Sequence, residues 1–141
     1  DQALEELITY FKNVSEPTMI VFFGDHQPND VVAEPVLRLN GKSSRNLSAE
    51  DIKLRYQVPY LIWANYEIDT KTEEDTSANY LGMKVLEAAG ITLPAYQEFL
   101  KDFEKGYPIL SAVRTEAASS PEISKNEYQK LQYYELFDKG D

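Results

Sequence analysis

Leu4, Leu7, Ile8 and Phe11 stand at i, i+3, i+4 and i+7, which puts one apolar stripe on a helix. Glu5 and Glu6 near its start suit the positive end of the helix dipole. Pro17 ends the connection, and Met19-Ile20-Val21-Phe22-Phe23 follows as an unbroken apolar run, the pattern of a short buried strand. Helix followed by strand is the second half of an α/β repeat. Gly24 stops the run and Pro28 forces a loop. Val31, Val32, Val36 and Leu39 then predict one or two short helical turns. Residues 40–46 (Asn-Gly-Lys-Ser-Ser-Arg-Asn) read as a loop by composition. Ser48-x-x-Asp51 has the form of a capping box, so a short helix running to Arg55 is expected.

The second confident strand is Tyr60 to Ala64, with Pro59 at its entrance, where a missing N–H is tolerated. Trp63 and Tyr66 read as core or crevice wall. Residues 69–75 form a polar loop whose carboxylates lack the spacing of a calcium loop. Ser77 is placed to cap a helix in which Ala78, Leu81, Gly82, Val85 and Ala89 recur with helical period. The small residues among them would allow close packing on a sheet. Gly90 stands where a C′ residue ends a helix. Pro94 opens the next helix, whose Tyr96, Phe99, Leu100 and Phe103 repeat the i, i+3, i+4, i+7 stripe before Gly106 and Pro108. Ile109 to Val113 reads as a small edge strand, and residues 115–121 (Thr-Glu-Ala-Ala-Ser-Ser-Pro) as the most linker-like stretch. A last helix is expected over about Lys125 to Phe137. Its Tyr128, Leu131 and Tyr134 share a side, while Tyr133, Leu136 and Phe137 spread apolar surface round it, so it should be docked on something. Three segments follow: a main body over 1–114, a linker-like 115–124, and a docking helix or tail over 125–141.

Composition narrows the possibilities. The chain has 141 residues, enough for one domain or part of a larger one, and 43% of them are hydrophobic. With 24 Asp and Glu against 14 Lys and Arg, the net charge is −10. That argues against nucleic acid, which needs a basic face, and against direct attraction to anionic lipid. A phosphate-bearing ligand would need a cation to offset the repulsion. The absence of cysteine excludes disulfides and thiolate metal sites. No apolar run approaches the ~20 residues that span a bilayer, and no signal peptide is visible. Asp1 falls inside what reads as a helix, so an origin within a longer chain is expected.

The chemistry concentrates at Asp25 and His26, directly after the first strand. Asp25 offers hard carboxylate oxygens, and His26, the single histidine, offers an imidazole nitrogen. In α/β sheets the ligand crevice lies beyond the carboxyl ends of strands. Gly24 would let the backbone approach a ligand, and a buried strand holds a site better than a free loop does. Asp30 stands as a third candidate ligand or, on residue type and position, a helix cap. Lys42 and Arg45 read as a solvated loop, with phosphate contact the alternative.

Phe23-Gly24-Asp25-His26-Gln27-Pro28 after an apolar strand resembles the lipoteichoic acid synthase-like phosphoglycerol transferases of the sulfatase and alkaline phosphatase superfamily. Residues 58–66 (Val-Pro-Tyr-Leu-Ile-Trp-Ala-Asn-Tyr), 79–82 (Asn-Tyr-Leu-Gly), 86–90 (Leu-Glu-Ala-Ala-Gly) and 131–137 (Leu-Gln-Tyr-Tyr-Glu-Leu-Phe) look like segments of that family in the expected order. The resemblance implies an α/β fold, part of an alkaline phosphatase-like sandwich with a central sheet flanked by helices. It implies a metal site for Mn²⁺ or Mg²⁺ made by a Glu, a Thr nucleophile, and the Asp and His matched by Asp25 and His26, with Gln27 a candidate for substrate contact. The implied reaction passes glycerol phosphate from a phosphatidylglycerol-type lipid to the threonine and on to a glycerol phosphate polymer, at the outer face of a cell membrane.

No Thr here stands in the family's nucleophile setting, and the Glu ligand has no match. The chain therefore reads as the C-terminal part of a catalytic domain that carries half a metal site and is inactive alone. The piece itself is expected to be soluble, with an exposed sheet edge that predicts self-association or marginal stability. Two alternatives stand beside this: a metal-free structural or interaction module, and a piece of a sulfatase or phosphoethanolamine transferase.

Overall fold

A computed structural model describes residues 2–69 and 74–137. The elements in order are α1 (Gln2–Lys12), β1 (Met19–Phe23), α2 (Asp30–Leu39), α3 (Ala49–Arg55), β2 (Tyr60–Ala64), α4 (Ala78–Ala88), α5 (Ala95–Gly106), β3 (Ile109–Leu110), β4 (Thr115–Glu116) and α6 (Lys125–Phe137). Mixed helix and strand agrees with an α/β chain. Among the described residues the strands form two separate pairs, β1 with β2 and β3 with β4. The chain divides into two compact units, residues 20–63 and residues 1–19 with 64–141.

In the unit formed by residues 20–63, the Gly24 N–H donates to the Pro59 carbonyl at 3.0 Å. The end of β1 thus meets the start of β2, so the strands run antiparallel. β1 is less buried than its apolar run suggests: Phe22 and Phe23 are 45% and 54% exposed. Neighbouring side chains on a strand point to opposite faces, so both faces are open at this end. Helix α2 is longer than expected and carries Pro35 inside it. Pro35 removes one helical hydrogen bond, yet the helix continues to Leu39. Its cap is Asn29, whose side chain accepts from the Val32 N–H at 3.2 Å. Asp30 instead pairs with Arg55 at 2.9 Å. The capping box at α3 forms as its sequence requires, Ser48 and Asp51 bonding reciprocally.

The other unit holds the core. Tyr80 and Met83 of α4, Leu100 and Phe103 of α5, and Tyr128 of α6 bury together. The Phe103 ring stacks on Tyr128 with centroids 4.6 Å apart and planes 5° from parallel. The Tyr80 hydroxyl donates to the Tyr107 carbonyl at 2.7 Å. Lys84 reaches Glu104 at 2.9 Å and Glu74 at 3.3 Å. The face of α4 that packs is set by its large side chains. Gly82 is exposed and a side chain there would meet open space, so the small-residue face is not the packing face. Ser77 precedes α4 without capping it, because its Oγ accepts from the Leu110 N–H at 2.7 Å. Gly90 has φ 70°, the left-handed turn expected after this helix. The edge strand contracts to β3, which pairs antiparallel with β4 in the register Ile109–Glu116 and Leu110–Thr115, so the linker-like stretch opens with a strand. On α6 only Tyr128 is buried; Tyr133, Leu136 and Phe137 are exposed, so its aromatic end is not docked among the described residues. The polar loop read at 69–75 lies largely outside the described residues.

Candidate functional site

Asp25 and His26 emerge where β1 ends and are held by their own backbone. The His26 N–H donates to Asp25 Oδ1 at 2.8 Å. The His26 Nδ1 lies 2.9 Å from the Gln27 carbonyl oxygen. A carbonyl only accepts, so this contact is a hydrogen bond when Nδ1 carries the proton, the tautomer that leaves the Nε2 lone pair for a ligand. A second-sphere carbonyl on the far ring nitrogen is the arrangement that orients a metal-binding imidazole. Nε2 and Asp25 Oδ2 are 3.4 Å apart, and the two side chains are 77% and 80% exposed. Two donors ~2.1 Å from one ion and about 90–110° apart would be separated by roughly 3.0–3.4 Å. The pair therefore fits as two neighbouring ligands of one cation.

The site is a pair and no more among the described residues. No group of three His, Cys, Asp or Glu side chains converges on a point. Asp30, the candidate third ligand, is engaged by Arg55. Gln27 turns away from this pair's chemistry in one respect: its Nε2 donates to the Gln57 carbonyl at 2.6 Å and ties the loop to the segment before β2.

Gly24 has a packing role that its own stretch of sequence does not show. A Cβ there would sit 2.9 Å from Val58 Cβ and 3.2 Å from Val58 Cγ1. The glycine is required by the close approach of Val58, and this seating fixes where Asp25 begins.

Next to the loop lies a cavity of about 370 Å³, lined by Gln27, Leu37, Asn40, Lys42, Asp51, Leu54 and Arg55. Lys42 pairs with Asp51, and that ammonium, then the Ser48 hydroxyl, holds the Asp51 carboxyl below its usual range. Lys42 is thus not a free loop cation. Of these residues the sequence singled out Gln27 for substrate contact, and Lys42 reads there as part of a solvated loop with phosphate contact the alternative. Asn40 and Arg55 carry no local pattern that marks them, because α2 and α3 bring them together from separate stretches.

An Asp-His pair follows strand β1 of this α/β chain, and the sulfatase family model matches residues 1–91. The chain belongs to the sulfatase family. It is 28% identical over 112 residues to a Rhizobium meliloti (strain 1021) protein named for cyclic beta-1,2-glucan modification. That alignment takes in 78% of this chain and 18% of the relative, so the chain spans less than a fifth of the relative's length. No solved structure matches it.

Proposed function

We propose that this chain is the late part of a sulfatase-family catalytic domain that transfers phosphoglycerol in the manner of the lipoteichoic acid synthase-like enzymes. Asp25 and His26 are two of the ligands of its Mn²⁺ or Mg²⁺. The observation that carries this reading is the 3.4 Å approach of Nε2 and Oδ2, with Nδ1 committed to the Gln27 carbonyl. When bound, such an ion lowers the pKa of a hydroxyl nucleophile and offsets phosphoryl charge. This chain's part is to present an oriented imidazole and carboxylate at the end of a strand. The Thr nucleophile and the Glu ligand belong to another part of the same domain, so the chain alone is inactive.

The donor in this reading is a phosphatidylglycerol-type lipid, and the setting is the outer face of a cell membrane. The glucan named in the relative supports a hydroxyl-bearing polymer as acceptor, a glucan or a glycerol phosphate polymer. No helix among the described residues is long and apolar enough to cross a membrane. The exposed Phe22 and Phe23, and the exposed Val32, Val36 and Leu39 on α2, support membership of β1 and β2 in a larger, helix-covered central sheet. The same surfaces would serve the alternative, a metal-free interaction module, and the metal decides between them.

The test is Mn²⁺ titration of the ¹⁵N-labelled chain, read by paramagnetic broadening. Weak, millimolar binding centred on residues 25–27 is expected, lost in both Asp25→Ala and His26→Ala. Broadening elsewhere, or the same broadening in the variants, would overturn the ligand assignment. Tight binding, or phosphodiester turnover by the chain that Asp25→Ala abolishes, would overturn the half-site.

A further inference from the structure

An open cavity lies beside the Asp25-His26 loop. We propose that it is a sugar or polyol subsite, the seat of the acceptor in the reaction above, on which this inference rests. Its volume of about 370 Å³ lies at the small end of ligand pockets and suits a monosaccharide or disaccharide.

The charge balance argues against an anion. The two cations of the lining are each matched by a carboxylate: Lys42 by Asp51, and Arg55 by Asp30 at 2.9 Å. No surplus positive charge is left to hold a phosphate, and the chain around it is acidic at −10. The glycerol phosphate donor is therefore not the occupant.

The hydrogen-bonding inventory is the one hydroxyls need, because a hydroxyl both donates and accepts. Gln27 commits its amide N–H to the Gln57 carbonyl, and Asn40 commits its own to the Val36 carbonyl at 3.0 Å. Each therefore offers its amide oxygen as an acceptor. Lys42 and Arg55 keep N–H groups beyond those their ion pairs use. Leu37 and Leu54 supply an apolar wall of the kind a sugar ring's C–H face packs on. The lining joins the candidate metal pair along the chain, since Gln27 follows His26 directly.

The experiment is an NMR titration of the ¹⁵N-labelled 141-residue chain with methyl β-glucoside and, separately, inorganic phosphate. The glucoside should move the signals of Gln27, Asn40 and Arg55 saturably in the millimolar range, and phosphate at equal concentration should leave them in place. Gln27→Ala and Asn40→Ala should each weaken the glucoside about fivefold, with circular dichroism checking that each variant is folded. Asp51→Asn frees the charge of Lys42 and should admit phosphate. A glucoside that gives no saturable shift at these residues, or phosphate that binds wild type there as well as the glucoside does, overturns the proposal whatever the variants do. Asp25→Ala separates this inference from the reading it rests on. Metal binding that vanishes in this variant, in a wild type that ignores the glucoside, sinks only the subsite. Glucoside binding with no metal contribution from Asp25 sinks the metal assignment.

Discussion

Asn65 is the residue whose removal tests the architecture most sharply. It follows β2, and its Oδ1 accepts from the Thr18 N–H at 2.8 Å. Its Nδ2 lies 2.9 Å from the carbonyls of Val14 and Glu16 and 3.1 Å from that of Phe11. One amide thus ties down the whole connection between α1 and β1. Asn65→Ala removes about three hydrogen bonds' worth of contact, since the shared carbonyls compete for one NH₂ group. At a net ~1 kcal/mol each this is about 3 kcal/mol, reduced to about 2–3 because Ser15, Glu16 and Pro17 are exposed and water can replace part of it. Against a domain stability of about 5–15 kcal/mol, that is a large fraction. Urea unfolding monitored by Trp63 fluorescence would measure it, and hydrogen exchange at the Thr18 amide would localise it. Asn65→Asp sharpens the case, because it keeps the acceptor for Thr18 but sets a carboxylate against three carbonyl oxygens. It should be at least as damaging at pH 7 and recover partly when the acid is protonated and can donate. A loss below about 0.5 kcal/mol in both variants, with Thr18 still protected, would refute the reasoning.

Gly24→Ala should cost about 1–2 kcal/mol: the overlap with Val58 costs about 1–3, offset by about 0.4–1 from a stiffer unfolded chain. Combined with Val58→Gly in a double-mutant cycle, the two changes should couple favourably; strict additivity of the urea midpoints would show the contact is not responsible. The Ser44 backbone N–H, with further bonds from Ser44, Arg38 and Ser43, holds the Glu34 carboxyl down at about 2. Its contribution is therefore full above pH 4.5 and lost as pH falls from there toward 2, so Glu34→Gln should flatten that acid limb of stability, and an unchanged acid melt would count against it. Burial first of all pushes the Tyr80 hydroxyl up to about 12. Stability from this group is full below pH 10 and lost as pH rises toward 12. Tyr80→Phe should remove that alkaline step, visible in ultraviolet titration, and cost about 1–2 kcal/mol at pH 7 by stranding the Tyr107 carbonyl.

Much of this molecule is legible in order along the chain. The apolar runs of β1 and β2, the Ser48 to Asp51 capping box, the Gly90 turn and the extent of α6 are set by interactions within a few residues of one another, so local pattern suffices to find them. The contacts of the Asp25-His26 pair are local for the same reason: both side chains and the Gln27 carbonyl beside the imidazole lie within three consecutive residues. Ser77 and Gly82 were misjudged, and the contact of Gly24 was missed, because what decides them lies elsewhere in the sequence. Ser77 serves Leu110 rather than its own helix, Gly82 lies off the packing face, and Gly24 makes room for Val58.

The sequence by itself determined most of the elements, the acidic charge and the place of Asp25 and His26 directly after β1. All three follow from composition and from spacings shorter than a helical turn or a strand. Tertiary structure alone decided which partners those elements meet. It turned β1 and β2 antiparallel, bound the α1–β1 connection through Asn65, cancelled Lys42 and Arg55 with Asp51 and Asp30, and gathered Gln27, Asn40 and Arg55 round one cavity. Such contacts join residues with no shared period along the chain, and only the folded backbone brings them within reach.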